Sequence, residues 1–172
     1  LKPDQISRLR DSLLAADYTL DPVLDRIGSA GQDGLTRNVT IPALDALDGA
    51  DDPQATLIRL FPLQEPQPRA SVAAALPLDD LLATGALRLE GELVKAAIDI
   101  RPYGFDDGQP GLQPFTGWVV SDPMPGLNLR VTPTRPDYVL GVSPAATTRA
   151  QMTMPAGVNR ALDLGTGCGV QS

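Results

Sequence analysis

Histidine is absent from the 172 residues. That removes the commonest metal ligand and the commonest general base at one stroke. Cysteine occurs once, as Cys168, so no internal disulfide can form, and one thiol without a histidine excludes an ordinary zinc site. A chain without disulfides suits the cytoplasm, which is the compartment expected. Basic residues are outnumbered, 14 against 21 acidic ones, for a net charge of −7. An acidic chain gains nothing from counterion release on a phosphate backbone, so non-specific nucleic-acid binding is disfavoured. No apolar run approaches the roughly 20 residues that span a bilayer, and no membrane partner is expected. Leu1 to Arg10 is polar and lacks the apolar core of a signal peptide. The sequence starts without methionine, which predicts a trimmed or partial polypeptide. Internal repeats and low-complexity tracts are missing too.

What is present is a punctuated, mixed chain. The 16 glycines and 17 prolines predict many turns and short elements, too mixed with apolar residues for a disordered chain. Residues 1–48 read as a helical cap. Ile6, Leu9, Leu13 and Leu14 share one face of a helix over Asp4 to Ala16, with Pro3 at its start. Asp21-Pro22 opens a second helix to about Ile27, with Asp21 as N-cap. Gly28 to Gly34 reads as a loop. Thr40 or Asn38 caps a third short helix, Ile41 to Leu47.

Residues 49–104 form a second unit. Helices are expected over Gln54 to Phe61, over Arg69 to Leu76 and from Pro77 to Thr84, the last closed by Gly85. Ala86 to Glu90 and Glu92 to Ile98 then alternate as a hairpin around Glu90-Gly91. Three helices and a hairpin is the order of a winged-helix domain. The helix in the recognition position, Pro77 to Gly85, carries Asp79 and Asp80 and no Lys, Arg, Asn or Gln. It is unsuited to reading DNA bases or facing phosphates. The expectation is a packing module beside a further domain, with dimerisation as one role.

Residues 105–142 read as a β-rich bridge. A polar loop runs from Phe105 to Pro114, Asp99 to Gly104 being its lead-in. Gly117 to Asp122 is a strand, with Leu127 to Val131 as its partner, and Asp137 to Val142 is another. Trp118, the only tryptophan, reads as a core anchor. From residue 143 a new domain begins. Ser143 caps a helix with Pro144 at its first position and Ala145 to Met152 as its body.

The last ten-odd residues carry the chemistry. Ala161 to Leu164 reads as a short buried strand, followed by Gly165-Thr166-Gly167-Cys168-Gly169. Glycine at every second position lets a backbone turn sharply and lets a ligand reach main-chain atoms. Open α/β sheets build nucleotide sites at such places, at the carboxyl ends of their strands. A dinucleotide fingerprint would need Gly or Ala at 170, which is Val170, and the carboxylate of Asp163 would repel a pyrophosphate. A glycine-rich turn with no ligand is the plain alternative.

Asp163-x-Gly165-x-Gly167-x-Gly169 after an apolar strand resembles the first motif of class I methyltransferases that use S-adenosylmethionine. Leu162 to Gly169 is especially similar to the small-methyltransferase group, which includes release-factor glutamine and ribosomal RNA guanine methyltransferases. The resemblance implies that Asp163, Gly165, Thr166, Gly167 and Gly169 line the pocket for the methionine end of S-adenosylmethionine. It further implies that Ser143, Thr147 and Thr148 face the cofactor, although capping and helix-surface roles explain them equally. The implied fold is α+β: a helical N-terminal region and winged-helix-like domain, a short β-rich bridge, then, over 143–172, the first strand of a truncated Rossmann-like methyltransferase domain.

Such an enzyme moves a methyl group in line from a sulfonium to a nucleophile, and positioning supplies much of the rate. The group's acceptor motif, Asn/Asp-Pro-Pro-Tyr/Phe, is not found here. Asp21-Pro22, Asp52-Pro53 and Asp122-Pro123 lack the second proline and the aromatic. No catalytic residue is therefore assigned, and residues 1–172 alone are expected to be inactive. The methyl acceptor stays open among a protein glutamine, an RNA base and a small molecule, and a homodimer is possible. The alternative from another class is a non-enzymatic winged-helix interaction module with a glycine-rich tail.

Overall fold

The computed structural model describes residues 1–105, 115–129, 133–143, 145, 146, 148, 160 and 165–169. They form a mixed α+β structure of short helices and two small antiparallel sheets.

Helix α1 spans Pro3–Ala15. Pro3 costs nothing at the first position, where no intrahelical partner awaits its nitrogen. The Gln5 side chain accepts the Lys2 backbone N–H at 2.7 Å, and Leu9 and Leu13 turn inward. Helix α2 spans Leu20–Thr36, with Thr19 rather than Asp21 at the N-cap; Asp21 lies in the first turn. The expected loop from Gly28 to Gly34 is instead helical beyond a kink. Gly28 alone leaves the helix, with φ 64° and ψ 177°, a combination open to glycine. The turns after it pack against α3, Ile41–Ala46. Gly31 makes that approach possible, because a Cβ there would lie 3.2 Å from Ala43 Cα and 2.9 Å from Ile27 Cβ. Of the glycines that read as a loop signal, Gly28 forms the kink, while Gly31 and Gly34 are contact points with α3.

Helix α4, Pro53–Leu60, is capped by Asp52, whose side chain accepts the Ala55 N–H at 3.0 Å. Burial pushes the Asp52 carboxyl up, but that bond and the Arg26 guanidinium outweigh it and hold the group below its ordinary range. A two-residue strand β1, Gln67–Pro68, leads into α5, Arg69–Ala75, and α6, Leu78–Ala83. Strands β2, Leu87–Glu90, and β3, Leu93–Ala96, follow as a hairpin in the register Glu90↔Leu93. The three-stranded sheet has the order β1-β3-β2, all antiparallel. Strand β1 is too short for sequence alternation to reveal; it forms because the chain before α5 runs along the free edge of β3.

One core runs through these elements, from Leu9 and Leu13 of α1 through Leu57, Ile58 and Phe61 to Val72, Leu81, Leu87, Val94 and Ile100. Tyr18, fully buried, sits within it with its ring tilted 47° to that of Phe61 at 6.4 Å.

The second sheet departs from expectation. Asp99–Phe105, read as the lead-in to a loop, is strand β4, and its partner is β5, Phe115–Ser121. Pro102 and Gly104 argue against a central strand, but in a two-stranded sheet every strand has a free edge where proline is tolerated. The expected partner, Leu127 to Val131, is not a strand where described: Leu127–Leu129 is a 3-10 turn. Its middle residue, Asn128, has φ 53°; its side chain accepts from the Thr40 N–H at 2.9 Å and donates to Thr40 Oγ1 at 2.7 Å. Thr40 thus spends its hydroxyl on Asn128 rather than on capping α3. The expected strand from Asp137 to Val142 is absent as well. Val139 joins the end of β5 through one residue instead: its N–H goes to Asp122 Oδ2 at 2.7 Å and its carbonyl accepts the Asp122 N–H at 3.0 Å. Residues 133–143 therefore form a strap, clipped by Asp122 over the β4–β5 sheet.

Trp118 of β5 does anchor the core, donating its indole N–H to the Tyr18 carbonyl at 2.7 Å. At the far end Ala145, Ala146 and Thr148 are helical, and Ser143 Oγ accepts the Ala146 N–H at 3.1 Å as a cap should. The remainder of that expected helix and the expected strand over 161–164 lie outside the described residues.

Candidate functional site

Two places concentrate features that packing does not explain. The first is the glycine turn. Gly165, Gly167 and Gly169 have φ of 78°, 57° and 80°, the left-handed region in which a Cβ is penalised. Among the described residues, apart from the Gly165 carbonyl 3.9 Å from a Cβ built at Gly167, nothing lies within 4 Å of the space a side chain would fill. The backbone conformation by itself requires glycine at these positions. The Gly169 N–H closes the turn on the Thr166 carbonyl at 3.0 Å. Gly165, Thr166 and Gly167 are exposed, with Cys168 and Gly169 half-buried. Of the five residues singled out from the motif, Asp163 lies outside the described residues, as does Thr147 of the preceding helix.

The second place is a cavity of about 200 Å³ under the strap. Alternation along β4 puts Asp99, Arg101 and Tyr103 on one face, and the register sets Ser121 opposite Asp99 and Val119 opposite Arg101. All five line the cavity. The roof is Asp122, Met124, Tyr138 and the run from Leu140 to Ser143. The strap lies close here, since a Cβ on Gly141 would meet Ser121 Oγ at 3.1 Å. On the opposite face Ile100 lies in the core and Trp118 packs against it.

Asp99 is the unusual member. It is 2% exposed, and Arg101 Nε donates to its Oδ2 at 2.6 Å. Its Oδ1 is buried with no hydrogen-bond partner among the described residues. A charged group in that position costs on the order of 1–3 kcal/mol or more. Burial pushes the Asp99 carboxyl up, and the opposing pull of Arg101 and of the Ile100 N–H does not restore it. Burial likewise raises the Tyr138 hydroxyl, reinforced by Asp122 and Asp99. Asp122 itself is fully engaged, by Val139 N–H on one oxygen and Arg135 at 3.1 Å on the other.

Nothing in the residue pattern singled out this cavity beforehand. The signal was the polar, apolar, polar order Asp99-Ile100-Arg101-Pro102-Tyr103, which Pro102 obscured.

A wider groove of about 530 Å³ between the β2–β3 hairpin and the strap carries Arg88, Lys95 and Arg135 together with Glu65 and Asp122. Its charges are mixed, and Arg88, Lys95 and Arg135 are all exposed. Helix α6 is engaged from outside. Asp80 Oδ1 accepts from Gln5 Nε2 at 3.0 Å, and its Oδ2 accepts from Arg8 Nε and Nη2 at 3.1 and 2.6 Å. Helix α1 therefore covers the carboxylate of α6. Among the described residues no group of three potential ligands could hold a metal ion, and no helix is long and apolar enough to cross a membrane.

These features define an α+β chain whose helices and first sheet share one core. Residues 15–97, from the end of α1 to just past β3, match a family model described as a domain of unknown function, DUF7059. No curated protein and no solved structure matches the chain.

Proposed function

We propose that the chain is the N-terminal part of an S-adenosylmethionine-dependent class I methyltransferase, its front half an accessory domain serving substrate recognition or dimerisation. The observation that carries this reading is the turn after Asp163: all three glycines of the motif adopt the left-handed conformation that only glycine takes freely. Main-chain carbonyls left open by such a turn would accept from the ammonium and ribose hydroxyls of the cofactor, and its N–H groups would donate to the cofactor's carboxylate. Asp163, Gly165, Thr166, Gly167 and Gly169 would line that site, with the helix capped by Ser143 beside it.

The order α4, β1, α5, α6, β2, β3, with β1 on the outer edge of β3, supports reading residues 53–96 as winged-helix-like. The helix in its recognition position carries Asp79 and Asp80, and Asp80 is held by α1, which supports packing in place of DNA reading. The second reading, a non-enzymatic interaction module, draws on the exposed Asp79 of the same helix.

One titration separates the two. Calorimetry with S-adenosylmethionine on the full-length encoded protein is expected to give micromolar binding, abolished by Gly167→Val, which cannot hold φ near 57°. Residues 1–172 alone are expected to bind weakly and to transfer no methyl group. A full-length protein that binds no S-adenosylmethionine overturns the enzyme reading and leaves the module.

A further inference from the structure

We infer that the cavity between the β4–β5 sheet and the strap is a binding site for an organic ammonium ion, a cation carrying N–H donors on a short apolar body, with Asp99 as its anchor. The inference stands independently of any methyltransferase activity, since it uses none of the residues of the glycine turn.

Three observations converge on this ligand class. The cavity holds a buried carboxylate oxygen, Asp99 Oδ1, that lacks a donor among the described residues. Strand alternation puts that side chain on the cavity face, not the core face. A carboxylate oxygen is an acceptor only, so whatever completes it must donate.

The charges then choose among donors. Among the described residues Asp99 and Asp122 line the cavity and Arg101 is the only basic side chain that does; Asp122 is matched by Arg135, so the carboxylate left for a ligand is that of Asp99, which Arg101 meets on one oxygen only. The raised Asp99 carboxyl says the same: burial outweighs the Arg101 guanidinium and the Ile100 N–H together. A second cation lowers the cost of the buried charge, whereas an anion would meet two carboxylates.

The walls set the rest. Tyr103 and Tyr138 offer aromatic surface, which attracts cations, and Val119, Met124, Leu140 and Val142 provide apolar contact for a hydrocarbon stem. About 200 Å³ admits a side-chain-sized group and excludes a nucleotide or cofactor. Ser121 Oγ, opposite Asp99, donates to the Asp122 carbonyl at 3.1 Å and keeps a lone pair for a second N–H.

The test uses the 172-residue chain and three probes of similar bulk, followed by amide chemical shifts. n-Butylammonium is expected to bind in the millimolar range and to move the amides of Ser121, Asp122 and Gly141. Tetramethylammonium, a cation without N–H, and 1-butanol, an uncharged stem, are expected to bind about tenfold or more weakly, because a charge-assisted hydrogen bond is missing in each. Asp99→Asn should weaken n-butylammonium by a similar factor while the melting transition persists. Val142→Phe, which fills the cavity and leaves the carboxylate intact, should also block the probe, so the inference remains testable if the Asp99 variant does not fold. Equal binding of 1-butanol and n-butylammonium would overturn it, marking an apolar slot. So would unchanged binding to a folded Asp99→Asn or Val142→Phe protein.

Discussion

Replacing Tyr18 by Phe probes the joint between the helices and the β4–β5 sheet. Tyr18 is fully buried, and its hydroxyl donates to the Ile100 carbonyl of β4 at 2.7 Å, 82 residues away. Its carbonyl in turn accepts the Trp118 indole N–H of β5 at 2.7 Å. One residue therefore holds both strands that floor the Asp99 cavity. Phe keeps the ring, its volume and its contact with Phe61, so no cavity term enters. The variant loses one buried donor and leaves a buried carbonyl short of a partner, a cost of about 1–3 kcal/mol. For a chain of this size each kcal/mol lowers the melting temperature by roughly 2–4 °C. Denaturant unfolding of wild type and Tyr18→Phe measures the loss directly, with an unchanged slope against denaturant as the check that both unfold alike. The Trp118 indole N–H resonance serves as an internal control. It should stay in place, because its acceptor is main chain and survives the substitution. A loss under about 0.5 kcal/mol, below the usual worth of a buried hydrogen bond, would refute the claim that this bond joins the two halves. Tyr18→Ala should cost more, about 3–5 kcal/mol, since it also empties the ring site.

Two further outcomes follow from the packing and the charges. Gly31→Ala should destabilise by about 1–3 kcal/mol in thermal or denaturant melts, because the new Cβ would lie 2.9 Å from Ile27 Cβ and 3.2 Å from Ala43 Cα, forcing α2 and α3 apart. Asp99 should leave a pH signature of definite sign. Its native carboxyl titrates above the ordinary value of 3.8, so its contribution is fully present below the unfolded-state value and is lost as pH rises through the native one. The stability of wild type relative to Asp99→Asn, which does not titrate, should therefore increase on acidification. Arg101, Asp122, Tyr18 and Tyr138 are common to both proteins, and Asp52, which titrates with the opposite sign, cancels in the difference. A difference that shrinks toward acid would contradict the assignment of Asp99 as an under-compensated buried carboxylate.

The local elements were legible wherever one residue type leaves few choices. Pro3, and Pro77 with Gly85, marked helix ends that the structure keeps within a residue or two, whereas the cap that Asp52 gives α4 was not read from the sequence. The β2–β3 hairpin followed from Gly91 between alternating strands. The glycines at 165, 167 and 169 announced a sharp turn, and each one has left-handed backbone. Charge and composition spoke to what the chain does not suit, and the absence of histidine narrowed its chemistry.

Other features were decided by what packs against what. Glycines 28, 31 and 34 spell a loop to local propensity, yet α2 continues because a neighbouring helix needs the space that Gly31 and Gly34 leave open. Strand β4 exists despite Pro102 because β5 pairs with it along one edge and the other needs no donor. Leu127 to Leu129 turns instead of pairing because Asn128 finds Thr40, a partner 88 residues distant that no local pattern announces. The Asp99 cavity belongs to the same category. Its floor comes from two strands and its roof from a strap clipped by Asp122, so a buried carboxylate with a free oxygen arises only once residues 99, 121 and 141 meet. Sequence determines short-range geometry because turns, caps and periodicity are properties of a few adjacent residues. Burial of a charge is a property of the whole fold, because it depends on which distant side chains exclude water from it.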